Sequence, residues 1–215
     1  MMTDWEIRRQ IVAFGRKLYD QKLVAATDGN ISVRMKTDKI IMTPGGHCLG
    51  TLDFNHMVHL NSRGEATSGD LPPSSELPLH IGVYYERPDV NAVIHAHPPI
   101  ATAFTIAGMD FMLEALPEAI LIFGEIPVAP YATPATSESA DAIRGLVKNH
   151  DVVLLDHHGA VAVGENLTDA YCRMEKLEQI AYILLCAKQL GNTIPLSETN
   201  LKKLKELKEQ LKYRS

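Results

Sequence analysis

His95 and His97, separated by one alanine at the end of the run 90–94, carry the most chemically suggestive spacing in this 215-residue chain. Side chains alternate across a strand, so the two imidazoles would project from one face, about 7 Å apart along the chain. One metal ion can be reached by both. A catalytic zinc takes three protein ligands and leaves a position open, so the pair needs further donors. Glu76, just ahead of a helical segment, and His158, just after the apolar run 152–155, complete a set suited to a divalent cation, zinc first among them. Manganese and cobalt would accept the same donors. Spacing alone leaves rivals. His80 lies one helical turn after Glu76 on the same face, and His157 adjoins His158 but points the opposite way if the strand stays regular. At most one of these two neighbours would then be a ligand.

Composition narrows the partners. The chain has 46% hydrophobic residues and a formal charge of −5, enough apolar material for a single core and no basic face for nucleic acid or an anionic membrane. Three cysteines, Cys48, Cys172 and Cys186, form no short-spaced pair, which predicts free thiols in a reducing compartment. The opening residues lack a basic stretch followed by an apolar one, and no segment has the length of a membrane span. A cytoplasmic protein is expected. No carboxylate stands three or four residues after His97, which removes a cupin ligand pattern.

The elements that must position these residues can be read from periodicity. Thr3-Asp4-Trp5-Glu6 forms a capping box before a helix ending near Lys22, with Ile7, Ile11 and Leu18 on its apolar stripe. Strands are expected at 31–33, 40–42 and 57–60, an antiparallel start whose first connection runs through 36–39. Ser74-Ser75-Glu76 opens a helix that tolerates Pro78 in its first turn and breaks at Arg87-Pro88. The His95 strand follows, stopped by Pro98-Pro99. Helices are expected over 101–105, 138–148 and 169–190, the last ended by Gly191, with strands at 152–155 and 160–163 between them. Leu201, Leu204, Leu207 and Leu211 place an apolar edge on a charged tail helix at about 197–215. This order predicts an α/β protein, a three-layer α/β/α sandwich with a mostly antiparallel central sheet, in one domain spanning 1–215.

Five segments add a resemblance. Gly29-Asn30-Ile31-Ser32-Val33-Arg34, Thr43-Pro44-Gly45-Gly46, Pro73-Ser74-Ser75-Glu76, His95-Ala96-His97 and His158-Gly159 occur in the order found in the class II aldolase/adducin family, which the chain therefore resembles from its first helix to about residue 190. The resemblance implies that Glu76, His95, His97 and His158 hold one zinc per subunit, settling the choice for His158. It also implies that Gly29, Asn30, Gly45, Gly46, Ser74 and Ser75 bind phosphate. For Ser74 and Ser75 there is a physical reason as well, because free N–H groups and the dipole at a helix start favour an anion without a lysine.

The implied activity is reversible cleavage of a ketose 1-phosphate, of the L-fuculose 1-phosphate type, into dihydroxyacetone phosphate and a small aldehyde such as L-lactaldehyde. Zinc would stabilise the enediolate, and Glu76 would leave the metal to shuttle the proton. Family alternatives are methylthioribulose- and deoxyribulose-1-phosphate aldolases, a methylthioribulose-1-phosphate dehydratase and a ribulose-5-phosphate 4-epimerase. A non-catalytic adducin-like scaffold is disfavoured by retention of all four metal donors. The resemblance further implies a homotetramer with sites between subunits.

Three positions depart from the family aldolases or align only locally. Gly45 stands where Thr is common, so one hydroxyl contact to phosphate is lost or moved. Leu116 stands where a tyrosine from the neighbouring subunit donates a proton to the leaving aldehyde, and leucine cannot. Glu118, two residues on, is the candidate replacement, and Tyr213 falls near a tail tyrosine that folds over the substrate.

Overall fold

The computed structural model describes residues 2–35, 37 and 39–212. The tetrapeptide at the start behaves as its pattern dictates. Thr3 accepts the Glu6 N–H on its side chain while the Glu6 carboxylate takes the Thr3 N–H, opening α1 (Asp4–Asp20) with Ile7, Ile11 and Leu18 turned inward. Four strands then meander antiparallel: β1 (Asn30–Arg34), β2 (Ile40–Met42), β3 (Val58–Leu60) and β4 (Ala66–Ser68). Part of the predicted β1–β2 connection, Lys36 and Asp38, lies outside the described residues.

The free edge of β1 pairs with β5 (Ala92–Ala96), and the sheet continues through β8 (Gly159–Gly164) and β7 (Val152–Leu155) to β6 (Val128–Ala129). The order is β4-β3-β2-β1-β5-β8-β7-β6, with β6–β7 the parallel pair in an otherwise antiparallel sheet of eight strands.

Strand alternation splits the apolar residues into two cores. Ile94, Ala160 and Leu154 face α1, α3 (Pro99–Ile106) and α6 (Leu167–Leu190), whereas Val93, Val161 and Val153 face α2 (Leu77–Glu86) and α5 (Ser137–Val147). Helices therefore cover both faces, giving the predicted three layers. Pro78 sits in the first turn of α2, where its missing N–H has no helical partner to lose. Gly191 ends α6 with φ 147°, a conformation that costs other residues dear.

α4 (Pro117–Ile122) and α7 (Glu198–Lys212) pack together. Lys208 donates to the Ile120 carbonyl at 3.1 Å, and the Leu196 N–H reaches the Glu114 carbonyl at 2.9 Å. Leu201 and Leu204 are half-buried there, while Leu207 and Leu211 stay exposed. Cys48, Cys172 and Cys186 are free thiols, and among the described residues no helix is long and apolar enough to cross a membrane.

Candidate active site

Pleating decides which way the first histidine points. His95 shares the β5 face of Val93, and the register sets Asn30 of β1 directly beside it. Its Nδ1 lies 3.1 Å from the Ala160 carbonyl, so Nδ1 carries the proton and Nε2 presents its lone pair. His97 lies one residue beyond the strand, held by its N–H to the Leu23 carbonyl at 2.9 Å. His158 comes from the three-residue turn 156–158 between β7 and β8, its N–H donating to the Leu155 carbonyl.

The two rival histidines go elsewhere. The expected regular strand at His157 is a turn instead. His157 adopts φ 58°, its N–H is held by Thr105 Oγ1 of α3 at 3.1 Å, and its exposed ring turns to Asp156. Both ring nitrogens of His80 are taken by Ser32 and Asn30.

The rings of His95, His97 and His158 meet pairwise at 4.8–4.9 Å between centroids, and one nitrogen from each lies within 4.8 Å of the others. The Nε2 atoms of His95 and His97 are 3.1 Å apart. Burial, then the neighbouring imidazoles, holds His95 well below the usual histidine range. Burial, followed by His158, also lowers His97, although Asp28 opposes it, and burial lowers His158 against the pull of Glu76 and Asp28. All three are thereby biased to the neutral form that ligates metal. Asp28 stands 3.7 Å from His97 Nδ1, the outer-shell carboxylate that such ligands commonly have.

Glu76 closes the other side. Its Oε1 accepts the Ala135 N–H at 2.6 Å, while its Oε2 is buried with no partner. Ala135 holds φ 63°, a left-handed conformation unusual for alanine, and so aims that N–H. Three neutral imidazoles within ligand distance of one another, with Glu76 and its unpartnered buried oxygen lining the same cavity, form a donor set that fits a divalent cation.

A cavity of about 160 Å³ contains the histidines and Glu76, and the same cavity is lined by Gly29, Asn30, Gly45, Gly46, Ser74 and Ser75. The Thr43–Gly46 segment is clipped to the Ser74 segment, Ser74 N–H to the Thr43 carbonyl and Gly45 N–H to the Pro72 carbonyl. Gly29 has φ 74°, and a Cβ there would come within 2.4 Å of Val24 and 3.0 Å of the His95 carbonyl. Ser74 Oγ accepts the Glu76 N–H. No lysine or arginine lines this cavity among the described residues, so an anion would be held by neutral donors.

The family model described as the class II aldolase and adducin N-terminal domain matches residues 9–185, which takes in every element of this cavity. The chain belongs to the class II aldolase/adducin family. It is 34% identical over 178 residues to L-fuculose phosphate aldolase of Methanocaldococcus jannaschii, covering 83% of this chain and 95% of that one. It is 29% identical to 3-oxo-tetronate 4-phosphate decarboxylase of Pectobacterium atrosepticum, covering 86% of each. Among solved structures, YgbL of Klebsiella pneumoniae superposes with a TM-score of 0.87 at 29% identity, over 95% of this chain and all of that one.

Of the residues expected to act in this class II aldolase chain, one lies away from the cavity. Glu118 is exposed on the first turn of α4, and Tyr213 lies outside the described residues. Leu116, the N-cap of α4, is half-buried against the α6-side core. Conversely, Asp28, Ala135 and Gly159 were not singled out for a role by spacing. A Cβ on Gly159 would fall 2.4 Å from the Ala96 carbonyl and 2.9 Å from the His97 ring, so the glycine after His158 makes room for His97. The only sequence signal for it is its place in the His158-Gly159 motif.

Proposed function

We propose that this chain is a zinc-dependent class II aldolase that reversibly cleaves a ketose 1-phosphate, of the L-fuculose 1-phosphate type, into dihydroxyacetone phosphate and a small aldehyde such as L-lactaldehyde. The observation that carries this reading is one cavity that joins the imidazole trio and Glu76 to the glycine and serine segments suited to phosphate. A zinc ion bound by those donors would supply a Lewis acid for the substrate's carbonyl oxygen.

The chain's own groups then have definable tasks. In cleavage the C3–C4 bond breaks, the C4 hydroxyl loses its proton as the aldehyde forms, and C3 of the remaining three-carbon phosphate gains one. Glu76, with one oxygen anchored by Ala135 and the other unpartnered, is placed to deliver the proton at C3. Gly29, Asn30, Gly45, Gly46, Ser74 and Ser75 hold the phosphate and so fix the distance from it to the reacting carbons.

The C4 hydroxyl end is assigned to Glu118 supplied from a neighbouring subunit, with Tyr213 kept as a further catalytic candidate that would fold over the substrate. The exposure of Glu118 away from its own chain's cavity supports that route, and the reading includes a cytoplasmic homotetramer with its sites between subunits, as the family resemblance implies.

Leu116 favours a second reading. Carbon dioxide leaves a 3-oxo carboxylate without any hydroxyl giving up a proton, so decarboxylation needs no proton-exchanging group where leucine stands. The relative named 3-oxo-tetronate 4-phosphate decarboxylase makes this concrete.

Incubation of the zinc-loaded protein with dihydroxyacetone phosphate and a panel of aldehydes, followed by product identification, separates the two. A new C–C bond supports the aldolase. Carbon dioxide release from a phosphorylated 3-oxo acid with no condensation product assigns the decarboxylase. Full activity of metal-free protein in chelator overturns both.

A further inference from the structure

A buried polar line runs back from Asn30 in the cavity wall through residues to which the reaction itself gives no role. Tyr84 and His80 of α2 and Ser32 and Asn30 of β1 are buried, and His80 and Ser32 are wholly shielded from solvent. The Tyr84 hydroxyl lies 2.8 Å from Ser32 Oγ, Ser32 Oγ lies 2.6 Å from His80 Nδ1, and His80 Nε2 lies 2.5 Å from Asn30 Oδ1. Polar groups in an apolar interior specify one arrangement when every donor is satisfied.

We propose that Tyr84, Ser32 and His80 form a one-directional hydrogen-bond chain that holds the Asn30 carboxamide with its NH2 turned into the cavity, making His80 a positioning residue for the substrate phosphate. The direction follows from donor accounting. If His80 Nε2–H donates to Asn30 Oδ1, then Nδ1 is the acceptor, the Ser32 hydroxyl donates to it, and Tyr84 donates to Ser32. Every hydrogen in the line has an acceptor. Run backwards, the chain leaves the buried Tyr84 hydroxyl hydrogen with no acceptor among the described residues and turns the Asn30 oxygen, a repulsive partner, toward an anion.

Two further observations agree. Burial pushes His80 down to about 3, so the ring is neutral and one nitrogen is necessarily an acceptor. Asn30 lines the cavity, and its Nδ2 has no protein partner among the described residues, so that NH2 is left for a ligand. The chain also explains why serine, rather than an apolar residue, occupies the middle of β1: Ser32 must both donate and accept.

This inference rests on the reading of the cavity as a phosphate site, and the tests keep the two apart. Long-range 1H–15N correlation on the zinc-loaded protein reads the His80 tautomer directly, assigned by its loss in His80→Gln. A protonated Nε2 is expected, and a protonated Nδ1 overturns the chain whatever the cavity binds.

Titration with inorganic phosphate tests the consequence. His80→Phe is expected to weaken phosphate about tenfold or more while leaving zinc stoichiometry unchanged, with His80→Gln, which keeps a donor for Asn30, closer to wild type. In an Asn30→Ala background, His80→Phe is expected to cause no further loss. Additive losses would overturn the positioning role. Should His80→Phe fail to fold, Tyr84→Phe carries the same cycle with a smaller loss. Wild-type protein that binds no phosphate overturns the functional reading and the role of His80 with it. Phosphate binding weakened by Asn30→Ala but not by His80→Phe overturns the relay alone.

Discussion

At the scale of single residues, the decisive quantity is the protonation state of three imidazoles crowded at 4.8–4.9 Å. His95→Ala or His158→Ala removes one of three nitrogen donors, and the expected result is loss of bound metal, by atomic absorption, together with loss of activity. Glu76→Gln keeps the shape and the Ala135 hydrogen bond but not the base. Its expected phenotype is a folded protein with unchanged melting temperature and turnover reduced about a hundredfold or more, read by steady-state kinetics. An unaltered rate would remove Glu76 from the proton transfer.

The residue types at 76, 95, 97 and 158 were visible in the sequence because metal chemistry restricts the choice of donor. The shell behind them was not. Ala135 acts through a backbone N–H and Gly159 through the absence of a side chain, and neither leaves a chemical signature in the letter that encodes it.

At the scale of elements, the hairpin turn between β7 and β8 governs the site. It must present His158 inward while its first and last residues stay in register, Leu155 opposite Gly159. Gly159→Ala pushes a methyl group against the Ala96 carbonyl and the His97 ring, and either the hairpin or His97 must yield. Metal affinity is expected to fall about tenfold or more, measured by competition with a chromophoric chelator, with the global fold retained in circular dichroism. Unchanged affinity would show that His97 can move without consequence.

α1 could be read from its apolar stripe, β5 from a continuous apolar run that is buried on both faces, and α6 from its length and the Gly191 that ends it. β4, β6 and α4 could not. β4 is exposed along its whole length and β6 has only two residues, so neither offers an apolar run to read, and the six residues of α4 owe their helix to docking beneath α7. The same limit explains His157: strand parity holds only while the strand lasts, and this one ends at Leu155.

At the scale of the whole molecule, α2 is pinned to the sheet by a neutral histidine. His80 refuses a proton when folded until about pH 3, whereas an unfolded chain accepts one below about 6.5. Between those values the unfolded state binds more protons, so stability falls as pH falls, by about 1.4 kcal/mol per pH unit for this one group well inside the window. Chemical denaturation between pH 7 and pH 4 is expected to show at least that slope, because His95, His97 and His158 are lowered as well, and His80→Gln is expected to reduce it. Equal slopes for the two proteins would mean that His80 titrates normally.

The cavity also has a sign. Asp28 and Glu76 line it, and no lysine or arginine does among the described residues. A doubly charged phosphate would therefore meet like charges until a cation neutralises them. By reciprocity, whatever a divalent ion adds to phosphate affinity, phosphate adds to the retention of that ion. The two ligands are thermodynamically coupled, and the natural sequence of loading is cation first, anion second.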